Sequence, residues 1–232
     1  MGLGKYISAG ASRTRGLYHL EGDSNDTSGN AHNGADTNIT YQLKNKALGK
    51  AAVFGAFTLG HILVGDNLDF QFGGTTPFTV RALTLFNSSW GIIMSNHNAN
   101  VLGGWSATKH AAPTSRITLQ RTDFPNYNQA EKEFDPNPGY EKRMHCVFVY
   151  NPVAQTVQVF ANGEPGVALA SLSQESNNNE AFIGAQKINN IINNQFRGGW
   201  LDEVVAEPRA WNKRYIDRDY AQSIGRTAPM IM

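Results

Sequence analysis

A single cysteine, Cys146, among 232 residues excludes an intramolecular disulfide, and small secreted eukaryotic domains usually carry bridges. Charge is scarce as well. Asp, Glu, Lys and Arg make up 17% of the chain and sum to a net +1, against roughly 25% charged residues in an average protein. No one-signed field exists to steer the chain toward nucleic acid or an acidic membrane. No apolar run approaches the ~18 residues of a membrane-crossing helix. The opening MGLGKYISAGASRTRG has no continuous apolar segment of the kind that marks a secretory leader, so export by such a leader is not expected. The six histidines include no H-x-H or H-x-x-x-H pair, which removes the short-range spacings of a zinc site.

What is abundant is Asn and Gly, 23 of each, a turn-rich usage that favours short strands over helices. Residues 1–15 are small, polar and basic, with Lys5, Arg13 and Arg15, and read as an N-terminal arm. A first strand over about 16–21 breaks at Gly22 into a loop of Asp, Asn, Ser, Thr and Gly that runs to Gly34. Residues 35–50 read as an irregular crossing, followed by strands at 51–57 and 60–65. From Phe78 to Phe86 the chain alternates, with Phe78, Val80 and Ala82 on one face and Thr79 and Arg81 on the other, the mark of a strand. Further strands are expected at 91–95, 101–108 and 116–121.

Residues 122–142 hold three prolines and no sustained period, so a long functional or inserted loop is expected there. His145–Tyr150 and Thr156–Ala161 form a hairpin that continues into a turn at Asn162-Gly163, a strong hairpin signal. Residues 180–185 make another strand, 188–195 an Asn-rich loop, and 198–206 the last strand. Asn212 is placed to cap a helix over 213–224, with Ile216, Tyr220 and Ile224 as its apolar stripe, and Gly225 to end it. The tail 226–232 finishes Met-Ile-Met. Many short strands with one terminal helix predict an all-β fold, a two-sheet antiparallel jelly-roll sandwich, over residues 16–225.

Three blocks then carry a resemblance. Gly16–Gly34, GLYHLEGDSNDTSGNAHNG, resembles the opening strand and loop of the laminin-G-like, concanavalin A-like lectin/glucanase jelly rolls. Arg143–Asn151 with Val157–Gly163 resembles that family's central strand pair, and Gly199–Val204 with Arg209–Asn212 its closing strand and capped helix. The helix departs from the family pattern, since Arg214 and Tyr215 follow the cap and no capping box forms. The resemblance implies a recognition fold that occurs in lectins, in some β-glucan hydrolases, and in virion surface and tail components.

The chain lacks the Glu-x-Asp-x-x-Glu strand of those hydrolases. Glu203 and Glu207 share a strand face, but four residues of strand separate them by roughly 13 Å, beyond the ~5–9.5 Å that glycosidase carboxylates need. Cys146 sits among apolar strand residues and reads as an inert buried thiol. No enzyme is expected. For metal, Asp23, Asn25, Asp26, Asn30 and Asn33 crowd one loop, and hard oxygen donors suit calcium rather than a softer ion. Asp202 alternates with Val204 and Ala206 on the expected core side, where a carboxylate must be paired, bonded or coordinated. In the resemblance the closing Asp lies near the opening loop, so a structural calcium held by Asp23, Asp26, Asn30 and Asp202 stands beside the alternative that Asp202 accepts backbone N–H groups without an ion. For sugar, stacking aromatics and orienting polar groups are offered by Trp90, Trp105, Tyr127 and Tyr140, with Asn96, His97 and Asn98 in a nearby turn. Two roles follow: a phage virion surface subunit, whose partners are other subunits met through residues 1–15 and the tail, or a lectin-like module that binds cell-surface glycans.

Overall fold

The structure, a computed structural model, describes residues 14–45, 49–55, 59–65, 68–72, 74–85, 90–96, 104–110, 116–123, 126–133, 143–170, 179–188, 191–193, 196 and 199–223. The strands of its first half are β1 (Gly16–Tyr18), β2 (Ala35–Thr37), β3 (Ile39–Asn45), β4 (Gly49–Phe54), β5 (His61–Gly65), β6 (Phe78–Leu85), β7 (Gly91–Ser95), β8 (Trp105–His110) and β9 (Arg116–Asp123). Those of its second half are β10 (Asn126–Glu133), β11 (Arg143–Asn151), β12 (Thr156–Ala161), β13 (Glu164–Pro165), β14 (Leu169–Ala170), β15 (Ala181–Ile183), β16 (Gln186–Ile188), β17 (Ile191–Asn193) and β18 (Gly199–Glu207). Helix α1 (Lys213–Ser223) follows the last strand.

Two antiparallel sheets form a sandwich. One has the order β13-β12-β11-β6-β18-β4-β3, with β1 also on β18 and β14 also on β12; the other runs β10-β9-β8-β7-β15-β5-β2. Between them lies the main core, where Phe54, Phe78, Val80, Phe148 and Val159 of the first sheet meet Val64, Ile93, Trp105, Ala107 and Ile183 of the second. The period of two in β6 explains its share: Phe78, Val80 and Ala82 point inward and are fully buried. The opposite face of β6 is buried too, with Thr79 at 0% and Arg81 at 3% exposure, because α1 lies over it.

The helix is held by its cap, by apolar packing on the first sheet and by the bonds of Asp219 to Arg81 and His145. The Tyr215 N–H donates to Asn212 Oδ1 at 2.9 Å, which satisfies one of the first-turn donors. Ile216 and the preceding Trp211 join Val147, Val149, Phe160 and Val205 in a second core on the outer face of the first sheet. Tyr220 is half-buried, while Ile224 and Gly225 lie outside the described residues. The hairpin signal at Asn162-Gly163 is realised, with φ of +52° and +80° and Ala161 facing Glu164 across it.

Four expectations are corrected. Residues 35–45 form β2 and β3 and 49–50 open β4, not an irregular crossing, while 46–48 lie outside the described residues: Ile39 and Tyr41 alternate with Thr40 and Gln42 and pack on the core from the sheet edge. Residues 122–123 end β9 and 126–133 form β10, which pair from Asn126↔Asp123 to Glu133↔Arg116, while 124–125 and 134–142 lie outside the described residues. Within 188–195, Ile188 pairs with Ile191 in a β16–β17 hairpin. Thr14 and Arg15, expected in the arm, lie on the sandwich, while 1–13 lie outside the described residues. Thr14 is buried at 2%, and the Arg15 N–H donates to Ala206 O at 2.9 Å, which extends the β1–β18 pairing.

Candidate functional site

The loop from Gly22 to Gly34 folds back along β1 and is organised by one carboxylate. Asp26 Oδ1 accepts the N–H groups of Leu17 (3.0 Å) and Ser28 (2.8 Å), and Oδ2 accepts the Ser28 hydroxyl (2.8 Å) and the His32 N–H (3.0 Å). Those four donors match the four acceptor positions of a carboxylate. Asn30 Nδ2 donates to the carbonyls of Thr14 and Arg15, Asn33 Oδ1 accepts the Asp26 N–H, and Asp23 Oδ1 accepts the Asn25 N–H in an Asx-turn. The loop closes at Gly34, where a Cβ would lie 2.3 Å from Ile62 Cγ2, so only glycine fits. Asp26, the carboxylate at the centre of the expected calcium set, does not fit an ion, because its four acceptor positions are already filled by protein donors.

Asp202 is the fourth member of that expected set, and its placement is corrected. The β18 register shifts between Asp202 and Val205, and Glu203 takes φ of +52°, a β-bulge that turns the alternation over. Asp202 therefore pairs with Leu83, a residue of the outer cluster with Ala51 and Trp200, whereas Val204 and Ala206 point into the core. The bulge falls where β18 changes partners. Its residues 199–201 pair with β4 and 204–206 with β1.

Around this bulge the outer face carries a buried charge lattice that sequence reading missed. Arg81 Nε donates to Asp219 Oδ2 of α1 at 2.9 Å, and its Nη1 donates to Glu203 O at 2.7 Å and lies 3.8 Å from Glu203 Oε2. His145 Nε2 bonds the same Asp219 oxygen at 2.6 Å, and His19 Nδ1 bonds Glu203 Oε1 at 2.8 Å. Burial opposes the charge on Arg81, yet Asp219, Glu203 and Asp202 outweigh it and raise its pKa further. Burial likewise opposes ionisation of Asp219, but Arg81 and His145 hold its carboxyl well below the usual range. The hydrogen bond to Glu203 raises His19 above the ordinary imidazole value, against a burial that would lower it. Arg81 facing outward on a strand was the only sequence signal, and nothing local marked Asp219 as its partner.

Beside this lattice, where α1 begins, lies a depression of ≈290 Å³. Val149, Phe160 and Trp211 form its apolar wall, and Asn151, Thr156, Gln158 and Asn212 supply polar edges. Trp211 is held there at both nitrogens, its N–H donating to Thr79 Oγ1 at 3.0 Å and its indole N–H to Glu207 Oε2. None of these residues was among the sequence-derived sugar candidates.

Those candidates are scattered. Trp105 is fully buried, stacked on Phe72 with centroids 5.9 Å apart, so it belongs to the core and offers no face to a sugar. Asn96 is also fully buried, donating to Phe70 O at 2.9 Å and accepting the Trp105 N–H at 2.9 Å. Trp90 is half-buried beside His110, ring centroids 6.4 Å apart, and Tyr127 lies on β10 opposite Thr122. His97, Asn98 and Tyr140 fall outside the described residues. Cys146 is buried, and burial raises its thiol pKa far above the ordinary value. Lys109 is fully enclosed, its ammonium 4.6 Å from the centre of the Phe196 ring, and burial pulls its pKa down to about 7.

Two predictions follow from the lattice and the loop. A raised His19 pKa stabilises the fold below pH ~6.5, and that stabilisation is lost as pH rises through the folded-state value. A depressed Asp219 pKa acts above pH ~3.8 and is lost as pH falls through its folded value. Urea unfolding should therefore show a wild-type advantage over His19→Gln that is larger at pH 6 than at pH 9. The advantage over Asp219→Asn should be full at pH 6 and shrink at the lowest accessible pH. The saturated loop predicts a melting temperature unchanged by EDTA or by millimolar calcium, measured by calorimetry; a reversible EDTA-induced drop would show an ion that the loop geometry does not accommodate.

No protein-family model matches the sequence, and no curated protein sequence matches it. Solved structures do. The binding domain of Paraclostridial Mosquitocidal Protein 1 superposes with a TM-score of 0.71 at 14% identity, over 92% of this chain and 53% of that one. A structure of botulinum neurotoxin type C, whose cell entry is described as dependent upon interaction with two ganglioside molecules, gives 0.68 at 12% identity over 91% of this chain and 51% of that one. Domain 4 of AbnA, a GH43 extracellular arabinanase from Geobacillus stearothermophilus, in complex with arabinotriose, gives 0.69 at 19% identity over 90% of this chain and 98% of that one. The chain thus spans about half the length of the toxin domains and nearly all of the arabinanase module. At these identities the likeness establishes the architecture alone, an antiparallel two-sheet jelly-roll sandwich.

Proposed function

We propose that this chain is a non-enzymatic carbohydrate-recognition module directed at cell-surface glycans. The observation that carries the reading is the end-to-end likeness to the arabinanase domain described in complex with arabinotriose, in which 90% of this chain aligns with 98% of that module. Such a match compares one whole sandwich with another, so the ligand class of the neighbour is informative about this fold as a unit. The chemistry here is compatible. Glu203 is bonded to His19 and Glu207 to Trp211 and Arg209, so both strand carboxylates hold structural partners. The net charge of +1 supplies no long-range steering, which suits a ligand met through hydroxyl groups and apolar ring faces.

The finer part of the reading places the module on a phage virion surface, with residues 1–13 and the tail 226–232 as contacts to neighbouring subunits. It rests on the basic residues of the arm and the apolar Met-Ile-Met of the tail.

On a printed panel of arabino-oligosaccharides, β-glucans and cell-surface glycans, the full chain should give saturable binding to at least one saccharide without releasing reducing sugar. Retention no greater than that of an unrelated β-sandwich would overturn the module reading, and reducing-sugar release would overturn its non-enzymatic part. Deleting residues 1–13 should abolish incorporation into particles while leaving glycan retention intact. Unchanged incorporation would remove the arm from the assembly reading.

A further inference from the structure

We infer that the depression between β12 and the start of α1 is the saccharide site, with its sugar hydroxyls read by side-chain amides that the backbone already holds in place. This rests on the carbohydrate reading above and assigns it a location. The argument begins with what each amide has left to offer. Asn151 Oδ1 accepts the Ala154 N–H at 3.1 Å, Asn212 Oδ1 accepts the Tyr215 N–H at 2.9 Å, and Gln158 Nε2 donates to Gly166 O at 3.2 Å. Each side chain is therefore pinned at one end. Among the described residues, two Nδ2 donors and the Gln158 Oε1 acceptor are left over, and the Thr156 hydroxyl sits on the same strand face two residues before Gln158. Fixed donors and acceptors side by side suit the neighbouring hydroxyls of a sugar, each of which both donates and accepts. Because the amides are already ordered, binding does not have to freeze them.

Other ligand classes fit less well. Among the described residues the wall carries no carboxylate, and its one formal charge is the Lys213 ammonium, itself paired with Asp217, so a cationic ligand finds no counter-charge there. An extended peptide added to the β12 edge is blocked, since β13 and β14 already pair there. A volume of ≈290 Å³ lies at the low end of small-molecule clefts, ~300–1,000 Å³, and is far too small for a docked helix about 10–12 Å across. Val149, Phe160 and Trp211 give one apolar side, which complements the C–H face of a pyranose or furanose ring.

The test uses each oligosaccharide that the wild-type chain retains on the printed panel described above. Thr156 and Gln158 are half-exposed, so substitution there leaves the core intact, whereas Trp211 and Phe160 are buried and are left alone. Gln158→Ala should weaken retention roughly five- to tenfold, the loss of a single ligand hydrogen bond. Gln158→Arg and Thr156→Arg, which fill the depression, should abolish it, and all three variants should melt with the wild type. Arg variants that melt normally and bind as wild type would overturn the location while leaving the carbohydrate reading in place, as would loss of binding in Trp90→Ala alone. A wild-type chain that retains nothing would overturn both.

Discussion

Arg81 is the constraint on which the rest of the structure depends. A guanidinium 3% exposed on a central strand must be matched by carboxylate, because an unpaired charge there costs several kcal/mol. The match comes from two directions: Asp219 from α1 above and Glu203 from the bulge in β18 beside it. One residue thereby sets both where the helix sits and how the closing strand is bent. His145 and His19 extend the lattice to β11 and to the end of β1. Elements far apart in sequence, residues 19, 81, 145, 203 and 219, are held in one geometry. Replacing such a lattice by apolar side chains would often be neutral in stability, so its contribution here is to position rather than to strengthen.

The bulge shows how that positioning reaches the other end of the chain. β18 is paired along one side by β6, but its other side is shared by β4 and then β1. A strand that changes partners mid-length needs a local break in register, and Asp202–Glu203 provides it. The bulge frees the Glu203 side chain to reach His19 immediately after β1. Asp26 then ties the following loop onto β1 through Leu17. The Asn- and Ser-rich loop is thus a clasp on the first strand, built from the self-bonding that these residue types favour.

Sequence reading was strongest where one physical rule acts alone. The alternation in β6, the Asn162-Gly163 turn and the Asn212 cap each follow from short-range geometry, and all are present. It failed where tertiary context decides. Strict alternation places Asp202 inward, and a single bulge reverses it. Trp105 is a sugar-stacking candidate in the sequence because an aromatic near a polar turn looks the same whether it faces solvent or Phe72. Residues 35–45 and 126–133 carry few apolar residues because β2, β3 and β10 are edge strands, whose weak pattern resembles a loop. The depression could not be foreseen at all, since its walls come from 149–165 and 211–213, and no local spacing links them.

The same covering helix that completes the outer core also explains why a depression remains. Eleven residues make a helix only about 16 Å long, enough to cover Val147, Val205 and the Arg81 lattice but not the whole width of a sheet whose strands lie ~4.8 Å apart. At the helix start the cover ends, and the outward residues of β12 change from Phe160 to Gln158 and Thr156, from side chains that need burial to side chains that accept water. Trp211 stands at that boundary, fixed to β6 through Thr79 and to β18 through Glu207. An apolar wall held by the lattice on one side and polar residues of a rigid strand on the other produce a surface set before any ligand arrives. For the recognition role proposed above, a net charge of +1 leaves preset shape and hydrogen bonding, rather than attraction from a distance, as the means of binding.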